Sequence, residues 1–439
     1  MKRLIILLLV LATIACEMSA RDRINFDKGW RFALVDSVQM SSPEYDDAAW
    51  RLLNVPHDWA IEGDFSASAP SGNSGGALPG GIGWYRKTFN VDKADEGKQL
   101  YIDFDGVYMN AKVWINGTLL GQRPYGYSSY RYDLTPYIIY GGKNVVAVRV
   151  DNSDQPNSRW YSGCGIYRHV WLNKTHMVHV AHWGTHVVAE GNKVKVDVTV
   201  DNPDNAKFTV RNILLDREGR AVGKSTGLKS VIKVGKPRLW SCESPYVYTV
   251  KTEILVGGNV VDTYTTTTGF RTFKFDAAKG FSLNGKSMKI NGVCQHHDLG
   301  CLGAALTEDA LHRQLRILKE MGVNAVRCSH NPPAPELLAM CDTMGLIVMD
   351  ESFDMWRRRK TQNDYARFFD EWAERDLTDL VLRDRNHPSI LMWSIGNEVL
   401  EQWSSADADN LTAEQANLIL NAGHDASTLA QLNTHTQSL

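Results

Sequence analysis

Asn397-Glu398 follows the apolar run Ile390-Leu391-Met392-Trp393-Ser394-Ile395-Gly396, so a carboxamide and then a carboxylate arrive at the carboxyl end of a strand. In a parallel barrel that end of each strand carries the chemistry. A carboxylic acid placed there can protonate the oxygen that leaves when a glycosidic bond breaks. The amide beside it can hydrogen-bond a sugar 2-hydroxyl as charge develops at the anomeric carbon. Three more expected strand ends carry comparable groups: Gln295-His296-His297-Asp298, Arg327-Cys328-Ser329-His330-Asn331 and Asp350-Glu351. Four such ends facing one mouth describe a site. Each residue alone also admits a structural role: His296 or His297 as a loop cap, Arg327 as the partner of Glu351 or Asp350, His330 as the support of the Pro332-Pro333 turn.

The elements that must position these groups change character along the chain. Over residues 21–174 the runs Trp84–Phe89, Leu100–Phe104, Ala111–Ile115 and Val145–Val150 are short and β-rich, and Asn116-Gly117 is a hairpin signal because both residues tolerate positive φ. A β-sandwich of jelly-roll type is expected there. Residues 175–272 hold alternating runs such as Val194–Val200 and Tyr246–Val250, about the content of one immunoglobulin-like β-sandwich serving as a spacer. After a second hairpin signal, Asn284-Gly285, strands and helices alternate over 273–439. The expected strands are Lys289–Val293, Val323–Arg327, Leu346–Asp350 and Ile390–Gly396. The expected helices are one capped by Thr307 and ended by Gly322, Pro335–Met344, and one from about Asp364 to Asp384. Leu411–Leu420 reads as the helix covering the fourth strand. Four β/α units are half of a (β/α)8 barrel, although a doubly wound sheet fits the same periodicity.

Composition excludes several classes of function. With 43% hydrophobic and 22% charged residues and a net charge of −2 over 439 residues, no basic excess suits nucleic acid and no acidic tail suits a scaffold. A neutral partner is expected, and length allows two or three domains. Lys2-Arg3 before the apolar run Leu4–Ile14 reads as a secretory signal over residues 1–20, too short for a membrane span. Cleavage after Ser19-Ala20 competes with lipoprotein processing at Cys16, where Thr13-Ile14-Ala15 is a poor lipobox, so the mature chain is exported, periplasmic or secreted. The remaining cysteines show no paired spacing, and most read as buried thiols. A metal reading from Cys294, His296, His297, Cys328 and His330 lacks any recognised ligand spacing. The glycine-rich Ser71–Gly81 lacks the ending of a phosphate-binding loop and reads as an ordinary loop.

The segment Arg385 to Glu398 resembles the acid/base segment of glycoside hydrolase family 2, the family of bacterial β-galactosidases. Val55-Pro56-His57-Asp58-Trp59 and Arg159-Trp160-Tyr161-Ser162-Gly163-Cys164-Gly165-Ile166-Tyr167-Arg168 resemble segments of that family's amino-terminal sugar-binding-like domain, and the Arg159-Trp160 loop is a candidate to reach the active site. The resemblance spans nearly the whole mature chain. It decides for the barrel and implies a retaining exo-β-glycosidase, most readily a β-galactosidase acting on an oligosaccharide or β-galactoside. By the same resemblance Glu398 is the general acid/base, Asn397 the 2-hydroxyl ligand, and His330 and Arg327 a sugar-site pair. Asp298 is a further sugar contact, and His297 and Glu351 complete the candidate substrate-binding set. No cofactor is implied. Asp354-Met355-Trp356 stand where magnesium-binding relatives have a Glu and a His, so no metal site is expected. The family's nucleophile lies on a later strand. Glu401 sits too close to the strand end and Glu414 lies in the covering helix, so the chain reads as an amino-terminal part, inactive alone, with the barrel truncated after about four units. β-Glucuronidase, β-mannosidase and a non-catalytic carbohydrate-binding remnant are the alternatives; linkage, aglycone and oligomeric state are left open.

Overall fold

The computed structural model describes residues 21–399. The signal read at 1–20 with Cys16, and the helix read at 411–420 with Glu401 and Glu414, lie outside the described residues. Among the described residues no helix is long and apolar enough to cross a membrane.

The amino-terminal sandwich packs two antiparallel sheets. One holds, in spatial order, Arg51–Leu53, Trp30–Ala33, Gly81–Asn90, Lys143–Asn152, Ala111–Ile115 and Thr118–Arg123; the other holds Arg21–Asn25, Val170–Thr175, Gln99–Phe104 and Tyr130–Asp133. Between them Trp30, Tyr85, Ile102, Phe104, Val113 and Val148 lose all contact with solvent. Each such side chain contributes about 1.5–3 kcal/mol of transfer free energy. Asn116 (φ 48°) and Gly117 (φ 83°) form the two-residue turn between Ala111–Ile115 and Thr118–Arg123, because only residues that tolerate the left-handed region close so tight a hairpin with the right twist.

The second sandwich has a three-stranded sheet (His179–Glu190, Lys193–Asp201, Lys229–Lys233) on a four-stranded one (Ala221–Thr226, Phe208–Leu215, Tyr248–Val256, Asn259–Thr268). Period-two alternation sets its faces: Val194, Val196 and Val198 point into the core while Lys193, Lys195 and Asp197 face water. A short sheet, Phe273–Asp276, Gly280–Leu283 and Lys286–Ser287, then turns at Asn284-Gly285. Its Phe281 and Leu283 join Trp240 against Ala325 and Ile347, which begin the second and third barrel strands, and so plug the bottom of the barrel.

Four parallel strands follow in sequential order: Gly292–Gln295, Ala325–Cys328, Ile347–Glu351 and Ile390–Ser394. Helices α1 (Glu308–Glu320), α2 (Pro335–Met344) and α3 (Phe369–Asp384) connect or flank them. Leu311 and Leu315 of α1 and Leu337, Leu338 and Cys341 of α2 cover Val326, Cys328, Val348 and Ile390. These are four strands of a TIM-type barrel, as the sequence leads one to expect, with boundaries shifted by up to three residues, most at the first strand. The first strand starts at Gly292, three residues after the expected Lys289. Gly292 is where pairing with Ala325 begins. Upstream, the Asn324 side chain holds the chain instead, its Nδ2 donating to Lys289 O at 2.9 Å and its Oδ1 accepting from Asn291 N at 2.8 Å.

Polar contacts lock the three units together. Arg123 of the first sandwich, 1% exposed, donates to Asp376 and Asp379 of α3, and Ser128 Oγ donates to Asp376 at 2.7 Å. Arg168 donates to the carbonyls of Pro332 and Pro333, just beyond the second barrel strand. The turn before the fourth strand docks on the immunoglobulin-like unit: Asn386 Nδ2 donates to Thr185 O at 3.0 Å, and Asn386 Oδ1 accepts from Val187 N at 2.8 Å. His387 Nδ1 pairs with Asp342 Oδ2 of α2 at 2.6 Å, and Asp342 Oδ1 accepts from Ser389 N at 3.0 Å. The start of the fourth strand is therefore fixed from both sides.

Two outcomes follow from these joints. Removing Arg123 strands the Asp376 carboxylate in a dry interface, so Arg123→Met should cost about 3–5 kcal/mol in denaturant unfolding, and adding Asp376→Leu should recover a large part of it. Burial lowers the His387 pKa, but the Asp342 carboxylate outweighs it and the net shift is upward. A raised folded value stabilises fully below the unfolded value of about 6.5 and less as pH climbs through the folded value. The melting-temperature advantage of the unmodified chain over His387→Gln should thus be greatest below about pH 6.5 and shrink at higher pH.

Candidate active site

The fourth strand leaves its ladder after Ser394. Gly396 permits the departure, since a Cβ there would lie 2.4 Å from Val399 Cγ2 and 2.7 Å from Trp356 Nε1. Trp356 Nε1 donates to Ile395 O at 2.9 Å and fixes the turn. Asn397 then points inward, 4% exposed, and Glu398 points outward with its side chain 52% exposed and a backbone φ of +43°. A left-handed glutamate costs about 1–2 kcal/mol, a strain that surrounding contacts must hold in place.

Those contacts are charged. Asn397 Oδ1 accepts from Arg327 Nη2 at 2.8 Å, and Asn397 Nδ2 donates to Asp354 Oδ1 at 2.8 Å. A cation on one side and a carboxylate on the other settle which end of the amide is oxygen. Lys360 Nζ donates to Asn397 O and to Asp354 O, each at 2.6 Å. Behind Arg327, Glu351 is fully buried and accepts from Arg327 Nη2 at 2.8 Å, from Ser394 Oγ at 2.6 Å, and pairs with His330 Nδ1 at 2.6 Å. Burial raises the Asp354 pKa, but Arg159, Lys360 and Asn397 outweigh it and hold the carboxyl below its ordinary value. Burial likewise lowers Lys360 against the pull of Asp354.

The amino-terminal sandwich completes the cleft. Arg159 Nη2 donates to Asp354 Oδ1 at 2.7 Å and to Glu398 Oε2 at 3.2 Å. Trp160 packs against His296 (centroids 5.0 Å apart) and His330 (5.6 Å), and its Nε1 donates to Tyr127 OH at 3.1 Å. Asp58 shapes this loop from within. Its Oδ1 accepts from Cys164 N at 2.8 Å, and its Oδ2 accepts from Ala304 N at 2.8 Å and from the Tyr161 hydroxyl at 2.5 Å. Gly163 (φ +72°) passes so close that a Cβ would lie 2.5 Å from Ala304 Cβ.

The structure thus gathers Glu398, Asn397, Arg327, His330 and Glu351 in one place, and two of the candidate residues, Glu351 and His297, are placed where they do not face a ligand. Glu351 is a buried counter-ion with its oxygens engaged, so it orients Arg327 and His330 and cannot touch a sugar. Asn397 makes one bond from Nδ2 and one to Oδ1, which leaves one amide hydrogen and one lone pair for a ligand, while its backbone N–H and carbonyl are taken by Phe353 O and Lys360 Nζ. His297 turns away from the cleft: its Nε2 meets Ser162 O at 3.1 Å, its ring packs on Tyr127 and Tyr167, and burial pushes its pKa down to about 3. It is a joint between sandwich and barrel. Asp298 lies partly exposed beside His296, with its carbonyl accepting from Gln314 Nε2 at 3.1 Å. Sequence reasoning missed Lys360, which closes the run Arg357-Arg358-Arg359 and looks like solvated surface charge, and it considered Asp354 only as a metal ligand.

The cysteine and histidine cluster does not assemble. Among the described residues no group of three or more His, Cys, Asp or Glu side chains is arranged to hold a metal ion. Cys164, Cys242, Cys328 and Cys341 are buried free thiols, in line with the expectation for most of them, and Cys294 and Cys301 are exposed.

Comparison with known proteins matches the chain in three consecutive stretches. Residues 25–176 match the sugar binding domain of glycosyl hydrolases family 2, residues 178–271 match the domain described as glycosyl hydrolases family 2, and residues 276–420 match that family's TIM barrel domain. The chain is 58% identical over 432 residues to the beta-galactosidase BoGH2A of Bacteroides ovatus, covering 94% of this chain and 51% of that protein. Among solved structures it is similar to a beta-glycosidase from Bacteroides vulgatus, with a TM-score of 0.83, 42% identity, and coverage of 94% of this chain and 53% of that one. It is also similar to a beta-glucuronidase from glycoside hydrolase family 2, with a TM-score of 0.80, 27% identity, and coverage of 92% and 46%. The chain therefore spans about half the length of these relatives. Two sandwiches and a barrel sheet in the order of the three matched domains, with a strand-end acid at their meeting point, leave one assignment: the chain belongs to glycoside hydrolase family 2.

Proposed function

We propose that this chain carries the acid/base half of a retaining exo-β-glycosidase, with a β-galactoside as its substrate. The observation that carries the reading is Glu398, half exposed on a strained backbone at a strand end, beside an amide clamped between Arg327 and Asp354. In double displacement Glu398 gives its proton to the glycosidic oxygen as a second carboxylate, about 5 Å away in retaining enzymes, attacks the anomeric carbon. Glu398 then takes a proton from the water that releases the sugar. The reading leaves the second carboxylate unassigned among residues 21–399, since the neighbours Glu351 and Asp354 are buried and held in ion pairs. The sugar rings would lie among Arg327, His330, Trp160 and Asp298. Galactose is favoured by the 58% identity to the Bacteroides ovatus beta-galactosidase. A β-glucuronide is the second reading, favoured by the cationic pair Arg159 and Lys360 at the cleft and by the structural similarity to a beta-glucuronidase. The reading includes export, for which the Lys2-Arg3 and Leu4–Ile14 segment is the support.

The test is hydrolysis of aryl β-galactosides and β-glucuronides by the purified chain, alone and coexpressed with the carboxyl-terminal half of the Bacteroides ovatus relative. No turnover alone and galactosidase activity on complementation are expected; robust hydrolysis by the chain alone would refute the placement of the nucleophile. In the complemented enzyme Glu398→Gln should lose about 10²–10⁴-fold on a disaccharide and much less on dinitrophenyl glycosides, whose leaving group needs no proton. Azide should rescue it with retained configuration. Equal losses on all substrates, without an azide product, would remove Glu398 from this role.

Arg159 tests the contribution of the sandwich. Its bond to the half-exposed Glu398 is worth little as stability, at most about 1 kcal/mol. Its value lies in fixing where the acid stands. Arg159→Met should therefore lower kcat by about ten- to a hundredfold with a smaller change in KM, and activated substrates should be less affected than natural ones.

A further inference from the structure

Glu398 occupies a backbone conformation that glutamate disfavours, and a side chain from the loop after another strand holds it there. Its φ of +43° lies in the left-handed region, where glycine and, less often, asparagine or aspartate rest without strain. The peptide joining Asn397 to Glu398 can turn over by opposite rotations of Asn397 ψ and Glu398 φ. That motion returns the glutamate to negative φ and swings its carboxyl elsewhere. It also reverses the Asn397 carbonyl, and Lys360 Nζ donates to that oxygen at 2.6 Å.

The lysine has one position available to it. Its three hydrogens meet three acceptors, Asn397 O, Asp354 O at 2.6 Å and Asp354 Oδ1 at 3.0 Å, and its side chain is 6% exposed. Its Nζ stands 4.0 Å from Glu398 Oε2, too far for a hydrogen bond, so its grip on the acid passes through the backbone. The turn that presents it is equally fixed. Asp364, fully buried, accepts from Lys360 N at 2.6 Å, Thr361 N at 2.8 Å and Ala366 N at 3.1 Å. Within the same turn Asn363 donates from its backbone N to Pro156 O and from Nδ2 to Gln155 O, each at 3.0 Å, and both acceptors belong to the first sandwich.

We propose that Lys360 is a positioning residue that latches the Asn397–Glu398 peptide in its strained orientation and, through Asn363, ties the stance of the acid to the docking of the sandwich. Without it the peptide turns over, the strain is released and Glu398 leaves its place at the cleft. The latch rests on backbone geometry alone. Its catalytic consequence rests on Glu398 being the acid/base.

Strain is read by comparing glycine with glutamine at position 398 in the purified chain, since both remove the charge and only glycine is at ease at positive φ. With Lys360 in place, Glu398→Gly should melt about 2–4 °C above Glu398→Gln. In a Lys360→Met background that advantage should vanish, because the peptide has already relaxed. Asn363→Ala, which leaves the ion pair of Lys360 with Asp354 in place, should shrink it and serves where Lys360→Met folds poorly. An equal advantage of glycine in every background, or none in the unmodified chain, overturns the latch. In the complemented enzyme Lys360→Met should lower kcat on a disaccharide by about tenfold or more, with a smaller change in KM, and largely spare dinitrophenyl glycosides. Equal losses on both substrates, which a merely weakened fold produces, overturn the positioning role. If Glu398→Gln itself fails the leaving-group test, the acid/base reading falls while the melting comparison still decides the latch.

Discussion

The site depends on an amide held between opposite charges. Asn397 bridges the Arg327 guanidinium and the Asp354 carboxylate, and each of these is anchored in turn, by the buried Glu351 on one side and by Lys360 with the more exposed Arg159 on the other. In a low-dielectric setting such a chain of charge-assisted bonds has one good geometry, because breaking any link leaves an ion uncompensated. Glu398 inherits its position from this clamp. Its own carboxylate stays half in water, open to a ligand, while the residue before it is buried and bonded on both sides.

The clamp also explains why the amino-terminal sandwich cannot be a mere appendage. Asp354 would be a poorly compensated buried carboxylate if Lys360 alone faced it, and the loop from the sandwich supplies the second cation. That loop is held at long range in sequence, by Asp58 through the backbone of Cys164 and Ala304, and by Arg168 through the carbonyls of Pro332 and Pro333. The immunoglobulin-like unit works at the opposite end of the same strand, gripping Asn386 before the chain enters the barrel. Both ends of the segment from Arg385 to Glu398 are thus positioned by other domains, which accounts for the specificity of its sequence outside the apolar core of the strand.

Parity within the strands decides the remaining roles. Asp350 and Glu351 are neighbours and so face opposite sides of the sheet. Glu351 enters the barrel mouth with Arg327 and Ser394, whereas Asp350 lies under α3 near Asp384, where burial and that second carboxylate push its pKa well up. One step of register would exchange the two, and with them the counter-ion of the site.

Much of this was written in the sequence alone. Short-range rules sufficed for the two-residue turns at Asn116-Gly117 and Asn284-Gly285, the helix Pro335–Met344, the four apolar strands and the strand-end acid, because each is set by local conformational preference or by hydrophobic periodicity. The family resemblance carried the order of domains. Tertiary structure alone decided which of the polar strand ends face the cleft. His297 carries the same side chain as His296 one position away, and only the packing of Tyr127 and Tyr167 turns it into a buried joint. Lys360 looks like the end of a solvated basic run until the fold brings Asp354 and the Asn397 carbonyl against it. Arg159 is separated from Glu398 by most of the chain, and no pattern of spacing encodes that contact. Charges find partners by distance in space, and distance between residues far apart in sequence exists only once the domains have docked.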